Sequence, residues 1–148
     1  EMIQLKFKNK WNIGILCSVF LFAGGGTIGI LISGTNVTIP AHYHGSIVAI
    51  SIACMCFVYN HFSLEGVLYK ASKIQLIIYA AGQFMHIGGL AWSGGYGVLR
   101  KNPDSVLSLS AKISMGIMGT GGLIAIIGGL IFVVICARRI IEPKTISN

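Results

Sequence analysis

The run WNIGILCSVFLFAGGGTIGILIS, residues 11 to 33, carries no charged side chain over 23 consecutive positions. A helix needs about 20 such residues to cross the hydrocarbon core of a bilayer. In that medium no water meets the backbone, so a segment must satisfy its own N–H and C=O groups, and a helix does this alone. Three more apolar stretches follow, at about 40–59, 73–99 and 113–137, each bounded by charge or by turn residues. They are too long and too evenly apolar for the alternating strands of a membrane barrel. The sequence predicts an all-α integral membrane protein, a single domain over residues 1–148 with four transmembrane helices.

Composition excludes a water-soluble domain. Hydrophobic residues make up 54% of the chain, charged residues only 10%, and the mean hydropathy is +0.79, far from the balance of a soluble protein. The first apolar run is too long for the core of a secretory signal and lacks an A-x-A cleavage site, so it is expected to remain as a span.

The basic residues predict an orientation. With four spans both termini share one side, which gathers Lys6, Lys8, Lys10, Lys70, Lys73, Arg138, Arg139 and Lys144, against Arg100, Lys101 and Lys112 on the other. Positive charge stays on the cytoplasmic side, so the termini are expected inside and the loops near residues 34–40 and 100–112 outside. The net charge of +7 is thereby a topology signal and gives no reason to invoke nucleic acid. The expected location is the bacterial cytoplasmic membrane, or alternatively the mitochondrial inner membrane with the termini in the matrix.

Cys17, Cys54, Cys56 and Cys136 all fall within spans, with no CxxC pair, and are expected to act as small apolar residues. Glycine is more informative. Of the 20 glycines, 11 fall in one triplet, Gly24-Gly25-Gly26, and four pairs, Gly88-Gly89, Gly94-Gly95, Gly121-Gly122 and Gly128-Gly129, nearly all at membrane depth. Close helix packing is the ordinary use of such residues, as the Gly25-x-x-x-Gly29 spacing would allow; a wall for a flat cofactor is the alternative.

The histidines carry the chemistry. In IPAHYHGSIVAI, residues 39 to 50, His42 and His44 stand two apart at the start of the second span. On a helix that spacing separates the side chains by about 200° and about 3 Å along the axis, so they face opposite sides and cannot grip one metal ion together. Two separate acceptors, each offered one imidazole nitrogen, suit the geometry. Packing or solvation near the headgroups is the plainer use of one membrane histidine, but a pair of buried ionisable groups is costly without a functional return. A ligating imidazole is neutral, and its other nitrogen is expected to find a hydrogen-bond acceptor.

The His42-Tyr43-His44 triplet resembles the H-F-H motif in the tenth transmembrane helix of subunit I of the heme-copper oxidases, where two histidines bind two hemes on either side of that helix. Upstream, FLFAGGGTIGILIS resembles the ninth helix; downstream, MHIGGLAWSGGYGVLRK resembles the end of the eleventh, and KISMGIMGTGGLIAIIGGLIFVV the twelfth. The resemblance covers nearly all of this chain but only the C-terminal third of a usual subunit I. It implies that His42 is the axial ligand of a high-spin heme and His44 one axial ligand of a low-spin heme. It also implies that Arg100 and Lys101 hold heme propionates, a charge-assisted pairing. The loop GTNVTIP lacks the His-Asp pair that many members use for magnesium, and SGGYG sets the basic pair further along than in the best-known branch. Copper, its three histidines, the neighbouring tyrosine and the second low-spin ligand belong to earlier helices, so a partner chain is implied, together with a subunit II-like chain for electron entry.

Such a chain would serve a terminal oxidase, with type a or b hemes left open, and would not be active alone. The alternatives are a nitric oxide reductase of the same superfamily, a diheme electron carrier, or a small transporter or structural accessory subunit. A proton-coupled transporter would want a carboxylate in mid-membrane, whereas Glu1, Glu65, Asp104 and Glu142 lie outside the spans. His61 reads as an interfacial polar residue and His86 as a hydrogen-bonding residue at a helix interface, with a place near a cofactor left open. Tyr43, Trp92 and Tyr96 read as interfacial aromatics.

Overall fold

A computed structural model describes residues 12–99 and 108–141. Its described residues form four helices: α1 (Asn12–Ile30), α2 (Thr38–His61), α3 (Gly66–Gly95) and α4 (Leu109–Ile141). All four are long and apolar enough to cross a membrane. Their lengths, 19 to 33 residues, correspond to about 28–50 Å at the α-helical rise, so α3 and α4 outrun a hydrocarbon core of about 30 Å. The last two apolar stretches are therefore bounded differently from the helices: α3 starts before the expected residue 73 and ends at Gly95, short of 99, and α4 continues on both sides of 113–137. Charge ends the apolar pattern there, while the backbone ladder runs on into the interface, where Lys73 sets its Nζ 4.5 Å from the centroid of the Tyr69 ring.

The turns are built from local polar groups. At the start of α2, Asn36 Oδ1 accepts from the Thr38 N–H at 3.0 Å, satisfying one of the donors a helix N-terminus leaves open. Pro40 falls in that same first turn, where its missing N–H has no helical partner to lose. Gly66 opens α3 at φ +57°, a left-handed value that costs a residue with a Cβ. Beyond α3, Val37 N–H donates to Val98 O at 3.1 Å and Asn36 bridges Leu99. The α1–α2 loop and the segment after α3 are thus tied together at one end of the bundle.

α3 is the hub, packed against α1, α2 and α4, while α1 lies along α2. Glycine sets these spacings. A Cβ on Gly25 would stand 2.7 Å from Ser46 N of α2, one on Gly82 2.5 Å from Ala125 N of α4, and one on Gly89 2.5 Å from Met118 N. Backbones approach this closely only where side chains are absent, so the glycine pattern serves close helix packing at these positions. Others, such as Gly24, Gly26 and Gly119, face nothing within 4 Å. The core gathers Leu21, Ile52, Tyr59, Leu76 and Ile87. Outside it, large apolar side chains such as Phe20, Phe22, Ile126 and Leu130 are exposed, an arrangement that suits contact with lipid or with further helices and not with water.

One polar network crosses the core. The fully buried Tyr59 of α2 donates its hydroxyl to Gln75 Oε1 at 2.9 Å, and Gln75 Nε2 donates to Gly128 O of α4 at 3.0 Å. A single amide thereby joins three helices. Gln75→Leu is expected to lower the stability of the chain in detergent by about 1 kcal/mol, the scale of a hydrogen bond between membrane helices. Unfolding followed by circular dichroism measures this, and an unchanged midpoint would remove the bridging role.

Candidate functional site

α2 begins at the end of the bundle where the loops meet, and its second turn carries both histidines of the pair. They go to different neighbours. The half-buried His42 turns to α1, where its Nδ1–H donates to Gly25 O at 2.7 Å. Its ring occupies the space left by Gly29, whose Cβ would stand 2.6 Å from His42 Nδ1. The exposed His44 turns to α3, its ring 4.9 Å from that of His86 and tilted by 41°. Its Nδ1–H donates to Pro40 O of its own helix at 3.0 Å.

These bonds determine where each ring keeps its lone pair. A carbonyl oxygen only accepts, so the Nδ1 that meets it must carry the proton, and the neutral imidazole then holds its lone pair on Nε2. His86 follows the same rule, its Nδ1–H donating to Met118 O of α4 at 3.0 Å. All three imidazoles are therefore anchored to backbone carbonyls, with Nε2 left to accept a proton or ligate a metal. The interhelical hydrogen bond expected of His86 is present; its closeness to His44 is additional.

The His44–His86 pair opens onto a cleft of about 410 Å³. Tyr79, Gln83 and His86 supply one wall, spaced at i, i+4 and i+7 along a single face of α3. Gly122, Ala125 and Gly129 of α4 supply a wall of small residues opposite. Each stripe runs about 10 Å along its helix, a length that matches a flat ring. Gln83 is 9% exposed, and its Oε1 is buried without a hydrogen-bond partner. Sequence reasoning passed over Gln83, although a polar stripe of Tyr79, Gln83 and His86 on one face of an apolar helix was there to be read.

Among the described residues no three or more His, Cys, Asp or Glu side chains gather as they would around a free metal ion. A heme iron asks each helix for one axial nitrogen, which this donor set can provide. The residues thus fit a heme through two observations: lone pairs fixed on Nε2, and a small-residue cleft with an unpaired polar atom. Arg100 and Lys101, the residues expected to hold propionates, lie outside the described residues. His61 is the exposed last residue of α2 beside Phe62, and Tyr43, Trp92 and Tyr96 are about half exposed. Cys54 is exposed and Cys56 buried, both as free thiols, so these two neighbours in sequence do not share a face.

The fold and the site define an all-α chain whose four helices are long and apolar enough to span a membrane, with three carbonyl-anchored imidazoles near one end. The uncharacterized protein RP382 of Rickettsia prowazekii (strain Madrid E) is 49% identical to it over 144 residues, covering 88% of this chain and 28% of the relative. The chain thus spans 28% of the length of that curated relative. No family model matches the chain, and no solved structure matches it.

Proposed function

We propose that this chain is the heme-binding, C-terminal part of subunit I of a terminal oxidase of the heme-copper type, seated in the bacterial cytoplasmic membrane with its termini inside. The observation that carries the reading is the paired tautomer. His42 and His44 leave one helix in different directions, and each is held through Nδ1 by a carbonyl, which leaves the Nε2 lone pair free. When bound, two hemes would supply the electron path and, with copper held elsewhere, the centre at which oxygen is reduced to water. The chain's own contribution is positional. His42 on the α1 side and His44 on the α3 side present one ligand each, and the backbone of α2 fixes the distance between them. Anchoring Nδ1 also raises the basicity of the ligating nitrogen and fixes the ring plane. Arg100 and Lys101 would hold the carboxylates of the same groups, as the resemblance implies.

Copper ligands and the second low-spin ligand must come from other helices, on a companion chain or on a longer form of this one. A relative in which this segment is only 28% of the length supports the second arrangement, and the exposed apolar faces of α1 and α4 suit either. A structural accessory subunit is the competing reading, favoured by the way His42 and His86 already tie helix to helix. The optical spectrum and metal content of the purified complex decide between them. The proposal expects two hemes and copper; non-heme iron in place of copper points to a nitric oxide reductase, and absence of porphyrin rejects the oxidase reading.

A further inference from the structure

His86 does more than tie α3 to α4. Its Nδ1–H reaches Met118 O, and its seat is cut into α4 by two glycines: a Cβ on Gly121 would stand 2.5 Å from His86 N, and one on Gly122 3.2 Å from its Nδ1. The ring is therefore held against the α4 backbone with little room to move. His44 is held less firmly. It is exposed, and its one hydrogen bond among the described residues, to Pro40 O of its own helix, fixes a single ring atom and lets the plane rock about it. The His86 ring meets it at 4.9 Å between centroids and a tilt of 41°, inside the range in which aromatic rings attract each other in tilted pairs. A mobile imidazole thus rests against a fixed one. A tie between α3 and α4 alone asks only for a donor; the ring that meets α2 is surplus to it.

We infer that His86 is a positioning residue for His44: held to α4, its ring sets the plane in which His44 presents Nε2 to the iron of the low-spin heme. The inference rests on the reading of His44 as an axial ligand and adds the residue that orients it. Two restraints then divide the work. The Pro40 carbonyl fixes which nitrogen of His44 keeps the lone pair, and the contact with His86 fixes how the ring is turned. The plane of an axial imidazole governs its overlap with the iron orbitals, so the contact acts on the spectrum of the site as well as on its occupancy.

The test uses the purified complex, in which the His44-dependent signal is the part of the low-spin electron paramagnetic resonance lost in His44→Ala. In His86→Ala that signal should spread over a wider range of g-values. The heme it reports should be retained about two- to tenfold more weakly on dilution, the worth of one aromatic contact, while the His42-dependent signal stays and shows that the bundle has folded. Two further variants separate the ring from the helix tie. His86→Phe keeps a ring beside His44 but cannot bond Met118 O, and should return most of the parent signal. His86→Gln can keep the bond to Met118 O but has no ring, and should behave as His86→Ala. The reverse order, or the parent signal in all three, overturns the inference and leaves His44 as a ligand. Loss of both signals in the Phe and Gln variants alike assigns His86 to structure alone and overturns it too. A parent complex without a low-spin signal that depends on His44 overturns the inference together with the reading beneath it.

Discussion

His44→Ala is expected to halve the heme extracted from the complex, removing the low-spin signal and leaving the high-spin one; His42→Ala is expected to do the reverse. The reason is geometric. The two rings share no hydrogen-bond partner: His42 is held by Gly25 on α1 and His44 by Pro40 on α2. Loss of either imidazole therefore leaves the other with its tautomer and its anchor. Each variant carries its own control, since the surviving signal shows that the bundle has folded. Optical difference spectra and a pyridine extraction measure both quantities. Two spectra that match the parent protein, or two that collapse together, would be incompatible with one ligand per face of α2.

The second large effect concerns spacing. A Cβ at Gly121 would stand 2.5 Å from His86 N and 2.6 Å from Met85 Cβ, and backbone cannot yield as a flexible side chain can. Gly121→Val should therefore force α3 and α4 apart, at a cost of about 3 kcal/mol or more given the usual scale of overpacking. Because His86 belongs to that contact, its bond to Met118 O should lengthen and the cleft beside His44 should change shape. Gly119→Ala is the comparison. Nothing lies within 4 Å of its Cβ position, so the gain in helix propensity, up to about 1 kcal/mol, is expected to leave stability unchanged or raised. Thermal unfolding of both variants in the same detergent measures the contrast, and equal midpoints would mean that the α3–α4 contact is looser than described.

Helix number and type were legible because hydropathy over 20 residues is a strong signal, but it reports depth in lipid and not where hydrogen bonding stops. That is why α3 begins at Gly66, ahead of Lys70 and Lys73, and why α4 extends past Arg138 and Arg139. The divergence of His42 and His44 follows from helical geometry alone. Their acceptors were not legible: Gly25 O and Pro40 O are backbone atoms and leave no mark in a sequence. The pairing of His44 with His86 joins positions 42 residues apart, a contact that only the packing of α2 on α3 creates. Gly29 illustrates the middle case. Its spacing from Gly25 signalled a close neighbour, yet that neighbour is the imidazole of His42, where Gly25 itself meets backbone.

The two anchors also differ in what they measure. His44 leans on a carbonyl four residues earlier in its own helix, so its aim travels with α2 as a rigid unit. His42 leans on a carbonyl of α1, and its aim is a gauge of how α1 sits against α2. A change in bilayer thickness or in a subunit bound along α1 that slides the first helix by even a fraction of a turn would swivel one imidazole and spare the other. The aim of one imidazole thus depends on how α1 is seated, and that of the next, two residues away, does not.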